Sequence, residues 1–494
     1  MATTVEVPLW LFILILLFAA VTFASHFLFP SVRWFFRRRL ERVVARLNQR
    51  LERPIQPFKL ARRYDMIQRL IYDPQVMQAV ADHAHAEAIP ENVAAEQARA
   101  YAREIVPSFS ASAYFGVAIR LARFLSNALY RVRLGHYAGD RLKDIDPKAT
   151  VIFVMNHRSN MDYVLVTYLA AERSALSYAV GEWAQVWPLS RLISAMGAYF
   201  IRRKSRNELY RRVLARYVQL ATEAGVTQAM FPEGGLSRTG ALLEPKLGLL
   251  KYILDGFDPA KRDVVFVPVG LNYDRVLEDR NLIAAANIPG HRFNTGLGVV
   301  TRNALRQLWL RVTGRYRRFG YAAVSFGAPL SLAGYEGLAA ADAPEVLAAE
   351  LMQRIGAIVP VLPVPAVCTL LLRHGPMSRG ELETLFAALV DTLPGAHVHI
   401  PRDSEAYAAE YGLRLLLERR LVTEESGLVA PVEAERECWS STPTRSGICC
   451  RRGRRTFLRL QSNFLHPLGH KISNRASHTI AMLRDCQYLG QNAA

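Results

Sequence analysis

Val151-Ile152-Phe153-Val154-Met155 runs directly into Asn156-His157-Arg158-Ser159-Asn160-Met161-Asp162-Tyr163. Five consecutive apolar residues with two valines and an isoleucine read as a buried strand, and the polar burst after them as the loop at its C-terminal end. Active sites of α/β proteins gather at that end of the sheet. A histidine five residues ahead of an aspartate is the pairing expected of a general base with its orienting carboxylate, which fixes the imidazole tautomer and stabilises the imidazolium as it forms. His157 and Asp162 are therefore the candidate catalytic residues. No serine or cysteine nucleophile accompanies them, so the hydroxyl to be activated would belong to a substrate.

Outward from this stretch, short apolar runs alternate with helical segments: Thr150 to Met155, Leu176 to Val180, Ala198 to Ile201, Val226 to Phe231, Val264 to Leu271 and Ala322 to Phe326. That alternation predicts an α/β fold whose mainly parallel sheet is flanked by helices on both faces. Pro57 to Leu134 reads as amphipathic helix, with segments around Ala94 to Ile105 and Phe115 to Val132 separated by Pro107-Ser108. Pro268 lies inside an apolar run, where proline is confined to edges, strand starts and bulges, so that strand is expected to end or bend there.

Three further segments follow in order: Gly197-Ala198-Tyr199-Phe200-Ile201-Arg202-Arg203, Phe231-Pro232-Glu233-Gly234-Gly235-Leu236-Ser237-Arg238-Thr239-Gly240, and Val264-Val265-Phe266-Val267-Pro268-Val269-Gly270. With the histidine loop they resemble the glycerolipid acyltransferases, specifically the membrane-bound bacterial glycerol-3-phosphate acyltransferases and the related dihydroxyacetone-phosphate enzymes. The likeness is close from Val151 to Asp279 and loose on either side. It implies acyl transfer from acyl-coenzyme A or acyl carrier protein to the sn-1 hydroxyl of glycerol-3-phosphate, giving lysophosphatidate, with no cofactor and no metal. Lysophosphatidate acyltransferase is the alternative within the class.

The resemblance gives the cations and the turn their expected roles. Arg202 and Arg203 end a strand with guanidinium groups that can grip phosphate with paired hydrogen bonds. Glu233-Gly234-Gly235 turns sharply after a strand, where glycine lets backbone N–H groups approach an anion. Ser237 and Arg238 would add side-chain donors to the phosphate, while Glu233 would bind the glycerol hydroxyls or orient an arginine. Leu236 stands where many relatives carry arginine, so one expected cation is missing. Arg203-Lys204-Ser205-Arg206, with Arg211, Arg212 and Arg216 on the next helix, offers a basic surface for an acidic carrier protein or the phosphates of coenzyme A; a solvated charged face is the other reading.

From Pro8 to Phe29 the chain is almost wholly apolar, enough for a helix to cross about 30 Å of hydrocarbon. No lysine or arginine precedes it, whereas Arg33, Arg37, Arg38, Arg39 and Arg42 follow. This asymmetry predicts a single-pass anchor in the inner (plasma) membrane, with the following domain on the cytoplasmic side and its arginines among membrane lipids.

The formal charge of +19 raises nucleic acid as a partner. After Cys438, however, nine Lys/Arg face one acid, Asp485, and the surplus of eight concentrated there leaves +11 for the rest. Read in another frame, Cys438 to Cys450 resembles the tyrosine-alanine-asparagine-rich apolar helix found near the end of the acyltransferase family. The tail is thus either out of frame from about Cys438 or a divergent basic extension. Four of the five cysteines lie in it, leaving Cys368 in the body, so neither a disulfide framework nor a zinc spacing is present.

The sequence divides into an anchor (1–31), a helical region (32–140), an acyltransferase domain (141–335), a C-terminal helical module (336–437) and the basic tail (438–494). Ser331 to Pro344 reads as the linker. Helical segments at Glu345 to Ile358, Val364 to His374, Ser378 to Leu393 and Asp403 to Arg420, then a hairpin turning at Ser426-Gly427, resemble a winged helix. That leaves a membrane-tethered DNA-binding protein as the alternative of another class. Glu405, Glu410 and Glu418 on the would-be recognition segment make it a poor surface for phosphates and argue against a nucleic-acid partner.

Overall fold

The computed structural model describes residues 8–137, 142–170, 174–181, 189–202, 207–237, 240–279, 318–339, 341–393 and 404–432, with isolated positions at 185, 282, 313, 400 and 401. The chain falls into two compact units, residues 1–55 with 172–174, and the remainder.

The first unit is dominated by helix α1, Leu9–Asn48. At 1.5 Å per residue it is about 60 Å long. The expected membrane-spanning stretch forms its N-terminal half, with Leu9, Trp10, Phe12 and Leu14 exposed. Side chains at 20, 23–37 and 40 of this helix lie outside the described residues, and among the described residues no helix is long and apolar enough to cross a membrane. The 438–494 tail also lies outside them.

The second unit is built on an eight-stranded sheet. Its strands are β1 (Arg131–Tyr137), β2 (Thr150–Met155), β3 (Ser177–Gly181), β4 (Tyr199–Ile201), β5 (Gln228–Met230), β6 (Val264–Tyr273), β7 (Tyr321–Phe326) and β8 (Leu330–Ser331). They are ordered β1-β7-β6-β2-β5-β3-β4, with β8 beside β6. Pairings are parallel except β6 with β7 and with β8. The continuous apolar run in β2 is explained by burial of both its faces. Ile152 and Val154 enter the core under the helices at 63–71, 74–86, 91–105, 208–223 and 343–358. Val151, Phe153 and Met155 enter the opposite core with Leu165 and Val166 of helix Met161–Ala170.

Three expectations are corrected. The helix read through Leu134 ends at Leu129, and Arg131–Tyr137 is an edge strand running parallel to β7. Buried Tyr130 anchors this change of direction, its ring 5.2 Å from that of Tyr273 and 5.9 Å from that of Phe319. Nor does Pro268 end its strand: β6 continues to Tyr273. On one side β6 pairs with β8 through Val265 and Phe266 and with β7 from Val269 onward, so the proline falls where the ladder changes partner and the missing N–H is tolerated. Finally, the linker stretch begins as part of the sheet: Ser331 Oγ and the Ala333 N–H both donate to Asp263, and Leu332 is buried.

Helices Pro363–His374, Arg379–Asp391 and Glu405–Glu418 follow, with a small sheet of β9 (Met377–Ser378), β10 (Val422–Glu425) and β11 (Leu428–Pro431). This is the expected winged-helix-like order. Ser426 (φ 52°) and Gly427 (φ 77°) make the predicted hairpin turn. Ala408, Ala409, Tyr411, Gly412, Leu413 and Leu416 of helix 405–418 are buried, and the Tyr411 ring packs 5.2 Å from that of Tyr321 in β7.

Gly270 in β6 lies against the turn at Ile358 and Val359, where a Cβ would stand 2.7 Å from the Ile358 carbonyl oxygen. Backbone cannot retreat as a side-chain tip can, so Gly270→Ala should destabilise the fold by about 1–3 kcal/mol, read as a lowered thermal unfolding midpoint.

Candidate active site

β6, β2 and β5 are neighbours whose C-terminal ends open on the same edge, so the loops after β2 and β5 meet the end of β6. Asn156 closes the first junction, donating to the Leu271 carbonyl (3.0 Å) and accepting the Leu271 N–H (2.8 Å) through its side-chain amide. The next residue, His157, is thereby delivered between β6 and β5.

His157 Nδ1 lies 2.9 Å from Asp162 Oδ2. The same oxygen accepts the backbone N–H groups of Arg158 (2.7 Å) and Ser159 (3.0 Å), while Oδ1 accepts the hydroxyl of Tyr273 (2.6 Å). With its two oxygens accepting from four donors, the carboxylate takes the Nδ1 proton as an acceptor, which leaves Nε2 with the lone pair of a base. The imidazole is stacked on Phe231 (4.1 Å, 28°) and meets Tyr163 edge-on (5.5 Å). Both His157 and Asp162 are buried. Among the described residues, no serine hydroxyl or cysteine thiol hydrogen-bonds this ring; Cys368 is buried in the C-terminal module.

The loop after β5 braces the histidine from behind. Glu233 Oε1 accepts the His157 N–H (2.8 Å) and Oε2 the Leu243 N–H (3.0 Å). Ser237 donates its N–H to the His157 carbonyl (2.9 Å) and its hydroxyl to the Ala241 carbonyl (2.6 Å). These two residues, expected to face substrate, therefore have partners within the protein. Gly234 adopts φ 65° in the turn, and its N–H donates to the Phe231 carbonyl (3.0 Å); Gly235 is the next, partly buried turn residue. Arg203 and Arg238 lie outside the described residues.

Arg202 stands at the end of β4, two strands beyond β5 at the same edge of the sheet. Its guanidinium grips Glu104 from the helical region in a paired contact, Nη2–Oε2 2.6 Å and Nε 3.0 Å from both oxygens, and lies over the rings of Tyr101 and Tyr210. Arg202, expected to grip phosphate, thus has its paired contact within the protein. Of the expected basic surface, Arg216 is drawn into ion pairs with Asp73 (2.7 Å) and Glu223 (3.0 Å), and Arg211 and Arg212 share Glu208.

Four participants were not singled out from the sequence. Tyr273 and Glu278 follow the β6 apolar run, and the rule that polar residues at the C-terminal end of a strand face the site would have found them. Glu278 accepts from Ser159 Oγ (2.7 Å) and the Asn160 N–H (3.2 Å). Arg158 is buried, donates to the Gly240 carbonyl (2.5 Å), and has its pKa lowered to about 10 by desolvation despite the charges of Asp162 and Glu233. Glu104 has no signal in its local sequence, since its partner lies 98 residues away.

Burial raises the Glu233 carboxyl from 4.5 to about 7, against the two backbone N–H groups that favour ionisation. The folded protein thus keeps a proton that the unfolded chain has released, and this group's contribution to stability, full below about pH 4.5, is lost as pH rises through about 7. The difference in unfolding free energy between wild type and Glu233→Gln should change by about 3 kcal/mol across that window; a flat difference from denaturant titrations at several pH values would refute this.

Two family models match the chain. Residues 139–272 match the acyltransferase family, and residues 308–437 match the glycerol-3-phosphate acyltransferase C-terminal region. Curated relatives named glycerol-3-phosphate acyltransferase include those of Pseudomonas putida KT2440, 32% identical over 282 residues, and Pseudomonas aeruginosa LESB58, 30% identical over 278. These alignments cover 56% and 55% of this chain and 32% of each relative, so the chain spans about a third of the length of the curated relatives it matches. Among solved structures, the 1-acyl-sn-glycerophosphate acyltransferase of Thermotoga maritima aligns with a TM-score of 0.31 and 18% identity, over 49% of this chain and 77% of that one.

Proposed function

From the match of residues 139–272 to the acyltransferase family and of residues 308–437 to the glycerol-3-phosphate acyltransferase C-terminal region, we propose that this protein transfers a fatty acyl group to the sn-1 hydroxyl of glycerol-3-phosphate, giving lysophosphatidate. The observation that carries the reading is the buried His157–Asp162 pair with Tyr273 on its second carboxylate oxygen. A base so oriented needs a hydroxyl to deprotonate, and the acceptor brings one.

In the proposed reaction, the sn-1 hydroxyl gives its proton to His157 Nε2 as its oxygen attacks the thioester carbonyl. The new C–O bond makes a tetrahedral oxyanion. Its collapse breaks the C–S bond, and the imidazolium returns the proton to the departing thiolate. Asp162 stays ionised throughout and stabilises the imidazolium. Acyl-coenzyme A or acyl carrier protein is the donor, and the thiol leaves free.

The phosphate of the acceptor is assigned to Arg202, with Arg203 and Arg238 as the further cations implied by the family's pattern. In this assignment Glu104 occupies the fork until a dianionic phosphate, with more charge and more acceptor oxygens, replaces it. The proposed location is the inner membrane, with α1 as a single-pass anchor and the catalytic domain facing the cytoplasm. What supports this is the uncharged stretch from Pro8 to Phe29 followed by five arginines.

Membranes containing the protein should acylate glycerol-3-phosphate from one or both donors. His157→Ala should abolish that activity, and Asp162→Asn should lower kcat by about 10⁴-fold, as loss of the orienting carboxylate does in serine hydrolases. Acylation of lysophosphatidate alone would reassign the acceptor. Transfer to neither acceptor by folded protein would overturn the reading. Alkali-resistant sedimentation with the bilayer, lost on deletion of residues 8–29, would establish the anchor; retention without them would dismiss it.

A further inference from the structure

Tyr273 at the end of β6 and the six residues after it form a short arm that faces two ways. Towards the catalytic loop, the Tyr273 hydroxyl donates to Asp162 (2.6 Å), and the Glu278 carboxylate accepts from Ser159 Oγ (2.7 Å) and the Asn160 N–H (3.2 Å). Towards the C-terminal module, Asp274 accepts the N–H of Val364 (3.0 Å) at the start of helix 363–374, and Asp279 is 2.5 Å from Arg419, just past helix 405–418. Residues 273 and 278 thus hold the loop, and 274 and 279, each one place further on, are held by the module.

We infer that this arm transmits the position of the C-terminal module to the catalytic histidine, with Glu278 and Arg419 as positioning residues for the reaction. Every contact in the chain of transmission is directed and largely desolvated. Asp279 is 4% exposed and Arg419 21% exposed in their side chains. A cavity of 160 Å³, lined in part by Asp274, Arg275, Val364, Leu416 and Arg419, separates stretches of the arm from the module. Apolar packing therefore does not set the arm's distance across that gap; the hydrogen bonds and the Arg419–Asp279 pair do. Loss of Arg419 removes the module's hold on Asp279, leaving it paired within the arm to Arg275 (3.7 Å), and its neighbour Glu278 holds the Ser159 hydroxyl and Asn160 N–H of the catalytic loop. An error of about 1 Å in a base can cost about 100-fold in rate.

The inference rests on the proposed acyl transfer, and the full-length protein in its membrane separates the two. Glu278→Gln and Arg419→Ala should each lower kcat by roughly 10- to 100-fold while leaving KM for glycerol-3-phosphate and for the acyl donor unchanged. Arg419→Lys should recover part of the loss. The double variant should be no slower than the slower single, since both act through one arm. Amide exchange in residues 156–163 should quicken in Arg419→Ala at an unchanged thermal midpoint. Wild-type kcat in Arg419→Ala, multiplicative losses in the double variant, or unchanged local exchange would each overturn the arm. A wild type without acyl transfer would sink the proposed function, leaving the exchange comparison to decide on the arm alone.

Discussion

The carboxylate of Asp162 is the interaction on which the site depends. It sits fully buried at the first turn of helix 161–170 and receives four hydrogen bonds, from His157 Nδ1, two backbone N–H groups and the Tyr273 hydroxyl. Burying an unpaired carboxylate would cost several kcal/mol; four donors offset that cost, and each reports on a different part of the molecule. The backbone donors fix the loop after β2, the histidine fixes the reactive nitrogen, and Tyr273 ties both to β6. Burial and the Asp162 charge raise the Tyr273 pKa well above its ordinary value, so its hydroxyl remains a donor at any physiological pH.

That carboxylate finds Tyr273 only because β2 and β6 are in register. Met155 lies opposite Val269, and Asn156 then bridges to the backbone of Leu271. A slip of one residue would exchange the two cores, since Val151 and Phe153 pack on one face and Ile152 and Val154 on the other. Gly270 lets the chain at Ile358 lie directly on β6, and Pro268 releases one side of the strand where β8 gives way to β7. Packing that looks structural thus sets the angle at which Tyr273 reaches the dyad.

The central strands were legible because their apolar runs are buried on both faces, a pattern that few other elements share. Thr150 to Met155 agrees residue for residue, and the hairpin at Ser426-Gly427 agrees because its turn chemistry is local. β1 was hidden: Arg131 and Arg133 alternate with Val132 and Leu134 on an edge strand directly after a helix, and only Tyr130's contacts with Tyr273 and Phe319, far away in sequence, break the helical pattern. The histidine–aspartate pair was visible because its partners are five residues apart. Glu104 on Arg202 and Glu278 on Ser159 are tertiary events, separated by 98 and 119 residues, and no local period encodes them.

The distribution of buried charge divides the labour of the site. Around His157 stand Asp162, Glu233 and Glu278, with Arg158 as the buried cation among them. Asp162 faces His157 Nδ1 directly, whereas burial raises the Glu233 carboxyl to about 7 and lifts that of Glu278, so those two serve chiefly as hydrogen-bond partners that hold the loop. Arg202, two strands away, has its fork filled by Glu104. In the proposed reaction, the acceptor's phosphate would take the place of Glu104 at the edge of the sheet while its hydroxyl reaches the base. On that reading, the orientation of the acceptor follows from where the sheet holds its base and its guanidinium, at the ends of β2 and β4.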